Sequence, residues 1–361
     1  MSIKNDKYFI KLANNLAKNS VGFTGPNPSV GAVIVKDDKV ISFGSTSASG
    51  RPHAEANALR KLHKNEKKDS TIYVSLEPCS HFGKSPPCVD NIIASKIKRV
   101  VYSINDLDSR TSGKSYKILK SNKIIVKKNF LKHFANKIYK DYFYSKKINK
   151  PYVYGKLAIS KDFFLKDKKN FYITNNHSLN VAHVLRSKIN CIITTYKTIN
   201  SDNPKLNCRI DGLNNFSPEV AILDKNINIK KNSFLLNNAK NNKTYLFYNR
   251  FTKEKINFLK SKKIIPIKSP LIGDCLDFNF ILKKLYRFGN TNVLVEGGKI
   301  LTNSLLNKSF FNEFYLFISS KKIGKNGNLK VKNIKYALSR NFKKANINQT
   351  FLDKDKLIHY Y

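Results

Sequence analysis

One imidazole and two thiols restrict the fold of this chain more than any other sequence feature. His53 opens a His-Ala-Glu segment, Cys79 follows a proline, and Cys88 comes after a short loop. One histidine and two cysteines can bind zinc tetrahedrally and leave the fourth position to water. Because structural zinc sites usually take four protein ligands, this set of three indicates a catalytic site, and the fold has to bring the three side chains together.

Glu55 lies two residues after His53 and is predicted to be the catalytic proton carrier. Bound zinc lowers the pKa of its water toward neutrality, which makes a nucleophile available near pH 7. The carboxylate is close enough to move protons without being a ligand itself. A His-x-Glu segment followed by Pro-Cys and a further Cys is typical of zinc-dependent base deaminases. The sequence therefore predicts a deaminase with zinc as its cofactor.

A length of 361 residues, with 41% hydrophobic and 12% aromatic residues, predicts a folded protein of two domains. No apolar run approaches the roughly 20 residues that cross a bilayer, so no membrane partner is expected. The N-terminal segment is charged and does not resemble a secretory signal. The predicted location is the cytoplasm, where reduced cysteines can serve as metal ligands. The remaining cysteines, Cys191, Cys208 and Cys275, are expected to be unpaired thiols.

The formal net charge of +43 raises the question of a nucleic-acid partner. Basic residues outnumber acidic residues to a similar degree in both halves of the chain, and Lys and Asn crowd the expected loops. A dedicated nucleic-acid surface would cluster the positive charge. We therefore interpret the charge as a compositional bias and predict no specific nucleic-acid partner, although polyanions can still bind at low salt.

Apolar runs of strand length alternate with helical patterns in both halves, which predicts an α/β fold. The expected strands include residues 30–35, 71–76, 152–159 and 191–194. One helix is expected to begin at His53, and a single long helix is expected over residues 130–146. The basic segment before Pro151 divides the chain into predicted domains at 1–147 and 148–361.

A Val-Glu-Gly-Gly segment, Val295 to Gly298, closes an expected strand and opens an expected helix. Two glycines there let a phosphate approach the free N–H groups of the helix start. A tight strand-to-helix turn explains the same residues equally well. The Asp202-Asn203-Pro204 segment follows another expected strand and could be no more than a turn. Neither segment predicts a reaction by itself.

Taken together, the motifs of both halves resemble one family, the bifunctional riboflavin-biosynthesis deaminase–reductases. In the first half the resemblance is carried by Thr24-Gly25-Pro26-Asn27-Pro28-Ser29-Val30-Gly31, His53-Ala54-Glu55, Glu77-Pro78-Cys79-Ser80-His81 and Pro86-Pro87-Cys88. In the second half it is carried by Lys156-Leu157, Leu185-Arg186, Thr198, the Asp202-Asn203-Pro204 turn with Leu206 and Arg209, and Val295-Glu296-Gly297-Gly298. The long gap between the two cysteines is itself characteristic of this family.

The resemblance implies a fold, two reactions and two cofactors. The expected fold is a cytidine deaminase-like three-layer domain followed by a dihydrofolate reductase-like α/β domain. The expected reactions are zinc-dependent hydrolytic deamination of a phosphoribosyl-diaminopyrimidinone and reduction of the ribosyl chain to ribityl by NADPH. The expected partners are this small-molecule substrate and further copies of the chain, in a dimer or tetramer.

The resemblance also assigns residues to the second site. The substrate-binding residues would be Asn170, Arg186, Leu206, Arg209 and Glu296, with the two arginines on the substrate phosphate. The cofactor-binding residues would be Ala158, Tyr172, Thr198, Asp202, Lys225, Gly298, Lys299, Ile300, Leu301, Thr302, Asn303 and Ser304. In the first site, the assignment again makes His53, Cys79 and Cys88 the metal ligands and Glu55 the catalytic group.

Four residues depart from the family pattern, and one of them, Asn170, lies near a position where a serine is usual. Phe163 stands where a glycine is usual, Tyr172 where a tryptophan is usual, and Lys225 where a small polar residue is expected beside the cofactor. Loss of a glycine is expected to change the backbone of its turn. These departures leave open a deaminase joined to a decayed reductase that serves as a dimerisation scaffold. The zinc motif with the basic charge leaves open an RNA-editing zinc deaminase.

Three further polar residues near the zinc motif have less definite roles. His81 is expected to support the site or contact substrate rather than to bind the metal. Asn27 and Asp106 could contact the pyrimidine or could only form turns.

Overall fold

The structure, a computed structural model, describes residues 3–169, 172–348 and 352–361. The chain divides into two compact units, Met1–Asn149 and Lys150–Tyr361. The expected boundary after residue 147 falls in the last turn of a helix that continues to Ile148, and the division therefore comes slightly later. No helix within the described ranges is long and apolar enough to cross a membrane.

The first unit contains one sheet and the helices that cover it. Its helices are α1 (Ile3–Asn19), α2 (Ala54–Arg60), α3 (Lys64–Lys67), α4 (Cys88–Ala94), α5 (Lys114–Ser121), α6 (Lys132–Ile138) and α7 (Lys140–Ile148). Its strands are β1 (Gly31–Lys36), β2 (Lys39–Ser45), β3 (Thr71–Val74), β4 (Arg99–Tyr102) and β5 (Ile125–Lys127). The strands lie in the order β2-β1-β3-β4-β5, with β3, β4 and β5 parallel and the others antiparallel.

Both faces of this sheet are buried, which makes the first unit three layers thick. Side chains alternate along β1, so Ala32 and Ile34 enter one apolar core while Val33 and Val35 enter the other. The first core is closed by residues of α2 and α4, and the second by the apolar side of α1. The expected three-layer arrangement is confirmed.

A buried carboxylate fastens α1 to the sheet. Asp6 accepts two hydrogen bonds of 2.7 Å from the guanidinium of Arg99 and one of 2.7 Å from the hydroxyl of Tyr73. Burial alone would raise the pKa of Asp6, but these donors lower it far below its usual range. The carboxylate is therefore ionised whenever the protein is folded near neutral pH, and its partners hold the helix in register.

The expected long helix over residues 130–146 is wrong, because the chain forms α6 and α7 with a break at Tyr139. Tyr139 has φ −96° and ψ 10°, outside the helical range of its neighbours. Its ring is fully buried, and its hydroxyl lies 2.6 Å from the hydroxyl of Ser75. The break directs this side chain into the core beside β3, the strand that precedes the loop with Cys79.

The second unit is larger and again alternates strands with helices. Its helices are α8 (Asn176–Ser187), α9 (Tyr196–Asp202), α10 (Phe234–Asn238), α11 (Lys253–Ser261), α12 (Phe278–Arg287), α13 (Lys299–Asn307) and α14 (Ile334–Asn341). Its strands are β6 (Tyr152–Ile159), β7 (Phe164–Asp167), β8 (Cys191–Thr195), β9 (Glu219–Leu223), β10 (Thr244–Tyr248), β11 (Ile265–Lys268), β12 (Leu271–Ile272), β13 (Cys275–Leu276), β14 (Asn292–Val295), β15 (Glu313–Ile318), β16 (Gly327–Lys330), β17 (Ala345–Asn348) and β18 (Lys356–Tyr360).

The main sheet of the second unit runs in the order β11-β10-β9-β8-β14-β6-β15-β18-β17 across the described residues. The first seven strands in this order, β11, β10, β9, β8, β14, β6 and β15, are parallel to one another. Strand β18 pairs antiparallel with both of its neighbours, β15 and β17. Carboxyl ends of parallel strands meet at one edge of a sheet, where α/β proteins place their ligands. The residues that follow β8, β9 and β14 are thereby brought together.

The turn between β6 and β7 holds Phe163 at φ +71°, the left-handed region that glycine adopts most easily. Its N–H donates to the carbonyl of Ser160 at 3.0 Å, and its carbonyl accepts from the N–H of Val331 at 2.9 Å. The ring packs against the core of the unit. The turn therefore retains a glycine-type backbone in spite of the Phe, instead of adopting the different backbone that we expected.

Candidate active sites

His53, Cys79 and Cys88, the zinc cluster, come together in the first unit although they lie on separate segments. Their ligand atoms all lie within 4.8 Å of one another. The Nδ1 atom of His53 is 3.3 Å from the Sγ of Cys88 and 3.5 Å from the Sγ of Cys79. Ordinary zinc–nitrogen and zinc–sulfur bonds at tetrahedral angles separate the two ligand atoms by about 3.6 Å. The spacing and chemistry of the cluster therefore fit zinc.

Local structure explains how the three ligands meet. His53 is the residue before the first turn of α2, and Cys88 is the first residue of α4. Cys79 lies on the loop that leaves β3, and its Sγ accepts the backbone N–H of Cys88 at 3.2 Å. The hydrogen bond from the Cys88 side chain and the contact with His53 lower the pKa of the Cys79 thiol, against the opposing effect of burial. The thiolate that zinc requires is favoured at this position.

Glu55 lies in the first turn of α2 and is only 3% exposed. Burial, together with the negative charge of Cys79, raises the pKa of Glu55 to about 7. A dication held by the three ligands would lower that value, because an opposite charge favours the carboxylate. A carboxyl group poised in this range can both accept and return a proton near neutral pH.

A second buried acid, Glu77, positions the loop that faces the cluster. Its Oε2 accepts the backbone N–H of Asp106 at 3.2 Å and that of Gly113 at 3.1 Å. Asp106 in turn is buried and accepts the hydroxyl of Tyr142 at 3.0 Å and the N–H of Asp108 at 3.0 Å. Both hydrogen bonds reach Oδ1 of Asp106, and they give this residue a structural role in its loop.

The other two polar residues near the motif also hold loops. His81 is not among the clustered ligands, and its Nδ1 lies 3.0 Å from the hydroxyl of Thr111. Asn27 donates its side-chain N–H to the carbonyl of Gly50 at 3.0 Å. Both contacts tie loops together around the cluster.

The second unit contains a cleft of about 1470 Å³, the second-unit cleft, at the carboxyl ends of its parallel strands. Most of the cofactor-binding residues expected from the resemblance line it, namely Ala158, Thr198, Asp202, Lys225, Gly298, Lys299, Ile300, Leu301 and Ser304. The expected substrate-binding residues Arg186, Leu206 and Glu296 line it as well. The cleft is large enough for two ligands in contact.

Of the remaining expected residues, Arg209 is exposed and does not line the cleft. Asn170 lies outside the described residues. Tyr172 is 53% exposed and does not line the cleft, but it is within electrostatic reach of Arg186. Thr302 is buried beneath α13, and Asn303 is exposed on its outer side, because successive residues of a helix point in different directions.

A buried ion cluster lies at the centre of the cleft. The guanidinium of Arg186 binds Glu296 through two hydrogen bonds, of 2.7 Å from Nε and 2.9 Å from Nη2. The ammonium of Lys156 lies 3.7 Å from the same carboxylate. Burial would raise the pKa of Glu296, but the charges of Arg186 and Lys156 lower it to about 2. Burial lowers the pKa of Lys156, partly offset by Glu296.

Lys156 is part of the family resemblance but has no role in the residues assigned from it. Its position in the sequence nevertheless indicates one. It is the one basic residue inside the apolar run of β6, and a charge in a buried strand needs a partner or a function. Two other polar contacts in the cleft had no sequence signal, because their partners are distant in the chain. These are the ion pairs Lys166–Asp202 and Lys225–Asp274.

The Glu296-Gly297-Gly298 turn lines the cleft just before α13 begins. A Cβ at Gly298 would meet no atom within 4 Å, so this residue borders open space, whereas a Cβ at Gly297 would lie 2.7 Å from Leu301. Gly298 precedes α13, a helix whose first N–H groups have no partner within the helix. Such a helix start binds anionic groups, and it fits the diphosphate of a dinucleotide.

Comparison with known proteins gives a family model for each half of the chain. The family model of the cytidine and deoxycytidylate deaminase zinc-binding region matches residues 3–104, and that of the RibD C-terminal domain matches residues 151–350. The riboflavin biosynthesis protein RibD of Aquifex aeolicus is 34% identical over 345 residues, which are 94% of this chain and 95% of that protein. This chain belongs to the RibD family.

Solved structures of RibD proteins share the whole architecture. Acinetobacter baumannii RibD aligns with a TM-score of 0.84 and 26% identity, and covers 99% of this chain and 98% of its own. A second structure, from Thermotoga maritima, aligns with a TM-score of 0.80 and 27% identity, and covers 99% of this chain and 98% of its own. That protein is described as a diaminohydroxyphosphoribosylaminopyrimidine deaminase/5-amino-6-(5-phosphoribosylamino)uracil reductase.

The chain is therefore a bifunctional enzyme of riboflavin biosynthesis, with a deaminase activity that uses zinc and a reductase activity that uses NADPH. The expected fold of a deaminase-like domain followed by a reductase domain is confirmed. Two alternatives were left open by the sequence. An RNA-editing deaminase does not explain the RibD C-terminal domain. A second half that serves only as a dimerisation scaffold does not explain the reductase activity of the family.

Proposed function

We propose that the first unit deaminates the pyrimidine ring of a phosphoribosyl-diaminopyrimidinone and that Glu55 carries the protons. His53, Cys79 and Cys88 would hold the zinc, which supplies an acidified water when bound. The oxygen of that water would bond to the ring carbon, and Glu55 would carry one of its protons to the adjacent ring nitrogen. Glu55 would then carry the second proton to the amino group, so that the carbon–nitrogen bond breaks, ammonia leaves and a ring carbonyl remains. The position of Glu55 supports this role, because the side chain is buried in the first turn of α2, two residues after the ligand His53.

The second unit would reduce the open-chain carbonyl of the deaminated product to an alcohol. Bound NADPH supplies the hydride, which adds two electrons to the carbonyl carbon. The oxygen then needs a proton, and the ammonium of Lys156 is the donor that the geometry offers. It lines the cleft beside Glu296, which holds it in place and helps to keep it charged.

The two arginines expected on the substrate phosphate differ in what they can still bind. Arg186 is committed to Glu296, and its Nη1 donates to the carbonyl of Asn207 at 3.3 Å. Arg209 is exposed beside the cleft rather than lining it, its Nη1 donates to Oδ1 of Asn207 at 2.9 Å, and its charge reaches His183 as that of Arg186 does. We therefore assign the phosphate contact to Arg209 and a positioning role to Arg186, which holds Glu296.

We expect Arg209→Ala to raise the KM of the reductase for its phosphorylated substrate by about tenfold or more, because one charge-assisted hydrogen bond is lost. The kcat should change little, since Arg209 does not line the cleft that contains Lys156, the proposed proton donor. Steady-state NADPH oxidation at varied substrate concentration measures both constants. Arg209→Lys should recover part of the loss, whereas an unchanged KM in Arg209→Ala would contradict the assignment.

We further propose that the two activities divide between the units, with the deaminase in residues 1–149 and the reductase in residues 150–361. The match of the two family models to separate halves supports this division. A homo-oligomer in the cytoplasm is also proposed. Exposed Val40 and Phe43 on the edge strand β2 offer apolar surface to a second copy, and two ligand thiols need a reducing compartment.

The observation that carries the proposal is the approach of His53, Cys79 and Cys88 at zinc-ligand spacing beside a buried Glu55. Purified protein should contain one zinc per chain by atomic absorption. Removal of the metal with a chelator should abolish ammonia release, while NADPH oxidation with deaminated substrate should persist, because the second site needs no metal. Ammonia release that survives complete loss of zinc would overturn the proposal.

A further inference from the structure

The order of the strands separates the two ends of the second-unit cleft. Lys156 lies on β6, the Gly297-Gly298 turn follows β14, and Lys225 follows β9, with β8 between β14 and β9. Neighbouring strands are about 4.8 Å apart, so Lys225 is about 10 Å across the sheet from the glycine turn and about 14 Å from Lys156. Lys156, the Gly297-Gly298 turn and Lys225 thus lie in sequence along the edge of the sheet.

Lys225 is held by a carboxylate from a different part of the chain. Its ammonium lies 2.5 Å from Oδ1 of Asp274 and 3.2 Å from the carbonyl oxygen of the same residue. Asp274 is at the tip of the β12–β13 hairpin, and its side chain is 88% exposed, whereas that of Lys225 is 23% exposed. Both residues line the cleft.

Other cations surround this pair. Lys197 follows β8, the neighbour of β9, and also lines the cleft. The pKa of the Asp274 carboxyl is lowered by Lys225 and, to a smaller degree, by Arg250. Arg250 is therefore close enough to Asp274 to interact with it electrostatically. Asp202, another acid of the cleft, is paired with Lys166. Asp277 also lines the cleft and caps α12, so the three cations Lys197, Lys225 and Arg250 exceed the two acids Asp274 and Asp277 at this end.

We propose that Lys225 binds the phosphomonoester of NADPH and that Asp274 occupies the ammonium until the cofactor displaces it. The inference rests on the proposed binding of NADPH in this cleft. The start of α13 already serves the diphosphate, and the reacting end of the cofactor belongs beside Lys156. The remaining anionic group of NADPH is the phosphate on its adenosine ribose, which NADH lacks. A phosphate dianion outcompetes a carboxylate for Lys225 and Lys197, and the released Asp274 returns to water at little cost.

Cofactor affinity measured without turnover tests this arrangement. We would titrate NADPH and NADH separately into the full-length zinc-loaded enzyme and record the nicotinamide fluorescence. Lys225→Ser should raise the Kd for NADPH about tenfold or more and leave the Kd for NADH within about twofold. Asp274→Asn should lower the Kd for NADPH about threefold without changing that for NADH, because a competing charge is removed. Lys240→Ser, which removes an exposed lysine of the same unit outside the cleft, is the matched control.

The outcomes are distinct. Equal weakening of both cofactors by Lys225→Ser, or no change in either, would overturn the assignment of the phosphomonoester. Weaker NADPH binding by Asp274→Asn would overturn the competing role of the carboxylate. A wild-type enzyme that binds neither cofactor would instead refute the proposed function of the cleft. The melting temperature of each variant and its unchanged Kd for NADH show that the second unit is folded.

Discussion

Replacing Glu55 with Gln should reduce the rate of ammonia release by about one hundred to ten thousand-fold, the contribution of a positioned acid–base group. The amide has nearly the same shape, so the buried site stays filled, but it cannot accept a proton from water. Zinc content should remain at the wild-type level, because Glu55 is outside the set of three ligands. Ammonia release from the phosphoribosyl-diaminopyrimidinone, measured beside metal content, checks both expectations.

The same variant should oxidise NADPH normally when it receives deaminated substrate. Glu66→Gln is the matched control, because Glu66 is an exposed acid of the same unit whose side chain only accepts the backbone N–H of His63. It should leave both reactions unchanged. Joint loss of deamination and reduction in Glu55→Gln would contradict independent sites, and retained deamination would remove Glu55 from the mechanism.

Replacing Lys156 with Gln should reduce the kcat of the reductase by a similar factor, because the proton donor for the carbonyl oxygen is lost. The Kd for NADPH should change much less, since the amide still fills the space beside Glu296. Glu296 retains its paired Arg186, so the variant does not leave a buried charge without a partner. Single-turnover reduction with saturating NADPH separates the chemical step from binding.

The pH dependence of the reductase provides an independent readout of Lys156. Only the protonated amine can donate, so the rate should fall as the pH rises through the pKa of this group. Burial lowers that pKa, and the fall should therefore begin at a less alkaline pH than for an exposed lysine. The decline should be absent in Lys156→Gln and preserved in Lys322→Gln, which alters an exposed lysine of the same unit. An unchanged alkaline decline in Lys156→Gln would assign it to another group.

Much of the deaminase site could be predicted because its ligands are chemically unusual. Two cysteines and a histidine are strong metal ligands, and few arrangements other than a shared ion explain their order in the chain. The reductase site was harder to predict. The family resemblance placed Ala158 and Gly298 at the cleft, where the structure also has them. It placed Thr302 and Asn303 there as well, but these two residues do not line the cleft.

The amino-acid sequence alone determined the ligand set His53, Cys79 and Cys88, the alternation of strands and helices, and the pairing of two enzymatic halves. These features depend on residue type and short-range periodicity. Three contacts are visible only in the folded chain: Arg186 pairs with Glu296, Lys225 pairs with Asp274, and the Tyr139 hydroxyl contacts that of Ser75 at a break between two helices. Such contacts join residues that are distant in the chain. Their formation depends on strand order and on the depth of the surrounding core, which no local pattern encodes.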